Sequence, residues 1–378
     1  ALATFGTPAP LPEESMRIDF AVTNAAFVWL NGAPPLVGLD ATGRVTGRAA
    51  NVTATRGGID LGGGKRLALA DGVFAMPDFH RKPAPASLTA RVTGSLESVG
   101  DLLDREALKA FGGAHIDTAS MKGQLDGKLS VDMRIQKGSR TNDAVVRVAG
   151  AVNAFSIDKL VGKERFEQGS LNLTFDAQGL KASGQGRLFG GPATLDIRKP
   201  PTGVADAVIQ FSLDDQARAR MGLASAPGLS GPIGARINAP FARDDAPARV
   251  ELDLTRVAID GFLPGFVKPA GRPARATFSI DRSDGAIAVD DLVFDAPGGP
   301  AMRGALKLEA SGAFRSARLA QLRLSPGDDM KVDADSTREG VKLVVRGQTI
   351  DARPFLRGFM RSDSVVGPRE AEIGRAHV

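Results

Sequence analysis

The sequence predicts an all-β fold of successive antiparallel strands with few helices, and three observations predict it. In Gly169–Arg198, Leu171, Leu173 and Phe175 alternate with Asn172, Thr174 and Asp176. Successive side chains on a strand point to opposite faces, so this run has one apolar and one wet face. Such runs end in Gly, Pro, Asp or Asn, the turn formers. They recur at roughly eight-to-twelve-residue spacing along the chain, and helical periodicity is rare.

Taken in order, Arg17–Val22 and Ala26–Leu30 read as two strands, followed by a break at Pro34-Pro35. Gly43–Arg56 is rich in Val and Thr, which favour pleated surfaces. Ile59–Leu61, Arg66–Ala70 and Val73–Met76 read as short strands cut by Gly62-Gly63-Gly64 and Asp71-Gly72. Leu88–Gly94 is a further strand. Val99–Phe111 is the clearest helix, with Val99, Leu102, Leu103 and Leu108 near helical spacing, Asp101 in the first turn and Gly112 beyond its end. In Met121–Ile135, Leu129, Val131, Met133 and Ile135 alternate against Ser130, Asp132 and Arg134. Ala144–Ile157 reads as a strand pair, Val204–Leu213 as a strand and Asp214–Gly222 as a short helix. Val250, Leu252 and Leu254 resume the alternation, then Phe278 with Ile280, Ile287 with Val289, Leu306 with Leu308, and Leu322 with Leu324; Val341–Val345 closes the series.

One local device recurs. Ile157-Asp158, Ile259-Asp260 and Ile350-Asp351 each end a strand before a short apolar segment. The Asp is suited to cap a helical turn and the Ile to face inward. The spacing, on the order of a hundred residues, suggests an array of sections.

The composition excludes several functions. Of 378 residues, 43% are hydrophobic and 24% charged, which are globular values. Aromatics make up 5%, with one Trp and no Tyr, so stacking platforms for sugars or single-stranded nucleic acid are scarce. The net charge of +5 is dispersed among acids without a basic run, which speaks against a nucleic-acid partner. No cysteine is present, which removes disulfides, thiol catalysis and thiolate metal sites. No apolar run approaches the roughly 20 residues of a membrane span. Glu372–Val378 matches the translation of a common sequencing adapter and is set aside from fold reasoning.

Catalytic patterns fail on spacing. Gly58–Lys65 ends like a phosphate loop, but Ile59 and Arg66 stand where Gly and Ser or Thr are required, so it reads as a hairpin turn. Gly184-Gln185-Gly186 lacks the third glycine of a dinucleotide fingerprint, where Phe189 stands. His80 and His115 lie far apart, with no partnering acid motif for a metal. The acid pairs Asp214-Asp215, Asp244-Asp245, Asp290-Asp291 and Asp328-Asp329 read as turn or capping residues. The chain reads as a non-enzyme that needs no cofactor and no metal.

The remaining question is what covers the apolar face. A buried Leu or Phe is worth about 1.5–3 kcal/mol over an exposed one, so the face cannot stay wet. Two coverings satisfy the pattern: paired sheets in tandem sandwiches of roughly a hundred residues each, or one curved sheet whose concave face takes up hydrocarbon.

Gly43–Ala49, Leu88–Leu96 with the helix Leu102–Leu108, and Gly347–Leu356 resemble the AsmA-like family, in the branch of YhdP- and TamB-type envelope proteins. The resemblance covers roughly Met16–Phe359 and rests on Gly, Val and turn spacing. It implies a long curved antiparallel sheet forming a repeating β-groove, as a fragment of a longer chain. The expected organisation is a start segment over 1–15, groove sections over 16–155 (with a helix over 99–111), 156–256 and 257–360, and a tail over 361–378. The implied function is periplasmic: a bridge-like lipid-transfer protein, anchored to the inner membrane by a segment absent from this sequence, carrying phospholipid toward the outer membrane. Leu129, Val131, Met133, Ile135, Leu171, Leu173, Phe175, Val250, Leu252, Leu254, Phe278, Ile280, Ile287 and Val289 are the expected groove lining. The alternatives are an assembly scaffold for outer-membrane proteins, offering a sheet edge to strands, and a tandem-sandwich surface protein.

Overall fold

The computed structural model describes residues 12–28, 32–105, 120–136, 144–220, 228–241, 246–260, 266–282, 285–325, 327–349, 351 and 353. The chain is all-β. Among the described residues, nineteen strands form one antiparallel sheet that does not close into a barrel, two two-residue strands pair separately, and the α-helices are two and short. The chain divides into two compact units, one of Ala1–Ser212 with Ala235–Ala248, the other of Leu213–Gly234 with Arg249–Val378.

The first unit begins with β1 (Arg17–Phe27), β2 (Leu36–Thr46), β3 (Ala50–Gly62), β4 (Lys65–Met76) and β5 (Ala84–Ser95). After α1 (Leu96–Leu103) come β6 (Met121–Ile135), β7 (Val145–Val161), β8 (Glu164–Asp176), β9 (Gly179–Leu188), β10 (Gly191–Lys199) and β11 (Asp206–Leu213). Each strand pairs antiparallel with the next, from β1 to β11. This unbroken ladder is a meander; a sandwich would break it every few strands to start a facing sheet. The sequence offered sandwiches as one covering because alternation fixes which face is apolar, not what lies over it.

The register sorts the two faces. Phe27, Leu36, Ile59, Leu67, Gly94, Leu125, Val152, Leu171, Gly184, Leu195 and Ile209 pair in succession. Directly paired residues share a face, so this is one apolar row across eleven strands, roughly 50 Å at the usual strand spacing. Gly184 belongs in it because a Cβ there would lie 1.9 Å from the Ser170 carbonyl oxygen. The adjacent positions Thr93, Asp126, Ala151, Asn172, Ser183 and Asp196 pair along the opposite, mostly polar face.

The apolar alternation changes phase inside several strands, and the structure supplies the reason. In β4, Leu67 and Leu69 hold odd positions but Phe74 and Met76 even ones. A one-residue register shift between Ala70 and Val73, with Asp71 at φ 51°, restores Phe74 to the apolar face opposite Leu88. Asn24 in β1, Ala154 in β7 and Gln168 in β8 do the same, each at a register shift and each at φ 51–53°. These are β-bulges, which leave one residue unpaired and bend the strand locally. They correct three expected boundaries. Asp71-Gly72 is a bulge within one strand and not a turn; Arg17–Val22 continues through Asn24 into Phe27; and the strand pair expected over Ala144–Ile157 is, from Val145 on, the single strand β7. Gly43–Arg56, by contrast, is divided by the turn at Gly47–Ala49 between β2 and β3.

The second unit contains α2 (Asp215–Arg220) and β12 (Leu229–Ser230). β13 (Ile233–Pro240) begins in it and runs on into the first unit. It continues with β14 (Ala248–Asp253), β15 (Ala258–Ile259), β16 (Arg275–Asp281), β17 (Ala286–Asp295), β18 (Ala301–Glu309), β19 (Phe314–Arg323), β20 (Asp329–Thr337) and β21 (Gly340–Thr349). β16 to β21 form a six-strand meander. Ile280, Val289, Leu306, Ala317, Ala334 and Leu343 pair across it, as do Ala276, Phe294, Met302, Leu322, Met330 and Gly347. In β17 the phase change from Val289 to Leu292 is again a bulge, with Asp291 at φ 54°. Asp290-Asp291 is therefore a bulge and not a turn or cap. Asp214 caps as expected, its Oδ1 accepting from the Ala217 N–H at 2.7 Å, and Asp328 Oδ2 accepts from the Leu324 and Ser325 N–H groups.

Two buried cations staple this unit. Lys268, 2% exposed, donates from Nζ to the Leu254, Thr255 and Val257 carbonyls at 2.5, 2.9 and 2.6 Å. Burial pulls its pKa down, with the nearby Asp253 carboxylate opposing. Arg218 on α2 donates to the Leu213, Gly231 and Leu229 carbonyls and to Asp215.

The recurring Ile-Asp device is corrected in part. Ile157 and Ile259 face inward and are buried. Asp158, however, caps no helix: β7 continues through it to Val161, and Asp158 pairs with Arg165. Ile350, residues 261–265 after Asp260 and the apolar segment after Asp351 lie outside the described residues, as do 106–111 of the expected helix, Asp244-Asp245, His115 and the tail over 361–378.

Candidate functional site: the apolar face

The expected lining residues fall into two sets, one in each unit. In the first unit, Leu129 pairs with Val148 and Val148 with Phe175; Val131 pairs with Leu88 and Val146; and Gly150 pairs with Leu173. The register therefore gathers Leu129, Val131, Met133, Ile135, Leu171, Leu173 and Phe175 on one face. Their burial is graded along the strands. Leu171 is buried; Leu129, Val131, Met133, Leu173 and Phe175 are half-buried; Ile135 is exposed. Leu171 is thus an ordinary core residue, while the half-buried group presents hydrocarbon at the surface.

In the second unit, Val250 and Leu254 are buried, with Leu252 half-buried between them. Arg275 reaches Glu251 at 2.6 Å on the opposite, polar side. Ile280 pairs with Val289, which is buried; Phe278, Ile280 and Ile287 are half-buried on the same face by alternation. Phe294, which pairs with Ala276 on this face, meets Phe266 with ring centroids 5.2 Å apart and the rings tilted by 46°; the sequence reading passed over both. Their signal was available: Phe294 resumes the alternation once the bulge at Asp291 is counted.

Helix α1 lies on the first unit's apolar face. Ser95 caps α1, its Oγ accepting from the Ser98 N–H at 3.1 Å, so the helix starts at Leu96, earlier than its apolar spacing suggested. Val99 and Leu102 pack on Ile59, Leu61 and Leu67. Lys65 Nζ lies 2.7 Å from Asp101 Oδ2 and 2.8 Å from Glu97 Oε1, and the hydrogen bonds to Asp101 and then Glu97 raise its pKa. Lys65 opens β4 after the turn over Gly63-Gly64, so the stretch that mimics a phosphate loop is a hairpin.

Exposed ion pairs tile the polar face and the turns at its margin. Arg91 grips Asp126 with two bonds of 2.8 and 2.6 Å, Arg44 and Arg17 hold Asp19, and Arg48 holds Asp78. Hydrogen bonding to these guanidinium groups lowers the pKa of Asp126, Asp19 and Asp78; the Asn24 N–H and then Arg56 do so for Asp40. A carboxyl whose folded value is depressed adds stability that is complete above its unfolded pKa of about 4 and is lost as pH falls through the folded value. Such exposed pairs are individually weak and salt-screened. Thermal unfolding midpoints are therefore expected to hold level from pH 7 to 5 and to drop below pH 4, with the drop shrinking at about 1 M NaCl. A midpoint that stays level down to pH 3 would refute the linkage.

Among the described residues no group of His, Cys, Asp and Glu has the arrangement of a metal site, and no helix is long and apolar enough to cross a membrane. Comparison with protein-family models, curated proteins and solved structures returns no match.

Proposed function

We propose that this chain is a segment of a bridge-like lipid carrier in which phospholipid acyl chains lie on the apolar face of the sheet and headgroups stay at its wet rim. One observation carries the reading: an apolar row runs across eleven paired strands, and beside it Leu129, Val131, Met133, Leu173 and Phe175 are only half-buried. Most of the row is itself buried, so it is the half-open hydrocarbon beside it that calls for a cover, since each Leu left wet forfeits about 1.5–3 kcal/mol. The carrier acts passively, by replacing water around hydrocarbon, and performs no covalent chemistry. The resemblance to the AsmA-like family supports a periplasmic location, an inner-membrane anchor and movement between the two membranes.

The test is Leu173→Asp beside Val131→Asp. A carboxylate at either position is expected to reduce transfer of fluorescent phospholipid between vesicles by about tenfold or more, given the cost of bringing charge against hydrocarbon. Circular dichroism and the melting midpoint should stay near wild type, because both sites are half-open. Native mass spectrometry should find phospholipid on the wild type and less on the variants. Variants that unfold mark the residues as core and defeat the reading.

The assembly-scaffold reading is favoured by one feature, strand β21. Val341 and Leu343 on β21 are each 59% exposed, so this strand offers apolar side chains to an added strand. Photo-crosslinks from β21 to a β-barrel client, with none to lipid, would select it.

A further inference from the structure

Helix α1 already shows what this face accepts. It brings Val99 and Leu102 down on Ile59 and Leu67, and it brings two carboxylates, Glu97 and Asp101, to the Lys65 ammonium at the end of the β3–β4 hairpin. With eight residues it is shorter than the roughly 12–15 that an isolated helix needs to persist in water. Its seat therefore depends on tertiary contacts: those aliphatic side chains, its buried Ser98 and Gly100, the lysine, and the Arg105 guanidinium, which donates to the Leu61 carbonyl at 3.2 Å.

An anionic phospholipid carries the same two features, an aliphatic tail and a negative head. We propose that α1 is a displaceable occupant of the apolar face and that Lys65 selects anionic phospholipid as the ligand that displaces it. The hydrocarbon takes the places of Val99 and Leu102 over Ile59 and Leu67. The headgroup phosphate takes the places of Glu97 and Asp101 at Lys65 Nζ, as a charge-assisted hydrogen bond. A zwitterionic headgroup brings its own cation to the lysine and gains less. This inference rests on the lipid-carrier reading above.

The chain has no cysteine, so one can be introduced without background. Leu103 is 40% exposed and outside the packed cluster, which suits Leu103→Cys carrying a nitroxide spin label. The full chain is titrated with vesicles of phosphatidylglycerol or of phosphatidylcholine, with lipid binding and label mobility read together. Phosphatidylglycerol is expected to bind at least about tenfold more tightly than phosphatidylcholine and to mobilise the label as it binds. Lys65→Gln should cut that preference below about threefold, and Lys65→Arg should keep most of it. Lipid that binds while the label stays immobile overturns displacement but leaves the carrier reading standing. Equal affinity for the two lipids, an undiminished preference in Lys65→Gln, or equal loss in Lys65→Arg overturns selection by Lys65. If neither lipid binds the wild type, the carrier reading falls, and this inference with it.

Discussion

Replacing Lys268 by Met should destabilise the second unit by about 2–3 kcal/mol, among the largest effects expected of a single side chain here. The ammonium is 2% exposed and donates to three main-chain carbonyls, those of Leu254, Thr255 and Val257. Methionine fits the volume but donates nothing: the Val257 carbonyl loses its donor, while the Leu254 and Thr255 carbonyls lose the ammonium but keep the Val257 and Gly271 N–H groups. Each carbonyl left without a donor in a buried site costs about 1–3 kcal/mol. Those carbonyls end β14 and lead into β15, and Lys268 itself bridges Ile259 through both main-chain bonds. The loss should therefore spread from the loop into the strands. Urea denaturation followed by circular dichroism measures it, and amide exchange should place the earliest opening over residues 254–259. A change below about 1 kcal/mol would mean that water replaces the ammonium, and the staple would then be incidental.

Gly150→Ala should cost about 2–3 kcal/mol, whereas Gly127→Ala should change stability by less than about 1 kcal/mol. The contrast is sharp because the two glycines pair directly, β6 against β7. A Cβ on Gly150 would lie 2.4 Å from both the Asp126 carbonyl oxygen and the Gly127 Cα. Those are main-chain atoms in a paired strand and cannot step aside. A Cβ on Gly127 meets its nearest neighbour, the Ala149 carbonyl oxygen, at 3.4 Å, an ordinary contact. Paired melting curves of the two variants decide the point. Equal melting temperatures would show that the strands can separate locally and that the close approach is not required.

Much of the fold was legible. Leu171, Leu173 and Phe175 against Asn172, Thr174 and Asp176 announced both the strand and its two faces, because a period of two has only one structural reading at that length. Asp176 ends that run as a turn former should, its carboxylate accepting from the Gln178 N–H at 2.7 Å. Bulges were harder. Asp71-Gly72 looks like a turn in any sequence, and only the pairing of Phe74 with Leu88 shows that the strand continues past it. Lys268 and Arg218 were invisible. A lysine between Val267 and Pro269 reads as surface, and nothing local says that three distant carbonyls will close over it. The half-open group at Leu129, Val131 and Leu173 was named from alternation alone, but its separation from the buried Leu171 was not. Alternation gives a side and not a depth.

The sequence by itself determined the strands, most of their turns and the sign of each face, because side-chain direction in an extended chain is a local property that every second residue restates. Tertiary structure alone decided that β1 to β11 pair in one unbroken succession, that phase changes are absorbed by bulges at Asn24, Asp71, Ala154 and Gln168, and which apolar residues lie deep and which lie open. Those outcomes depend on which backbone groups meet across tens of residues. That is settled by hydrogen-bond register and by close approach of main chains, neither of which any local stretch of residues encodes.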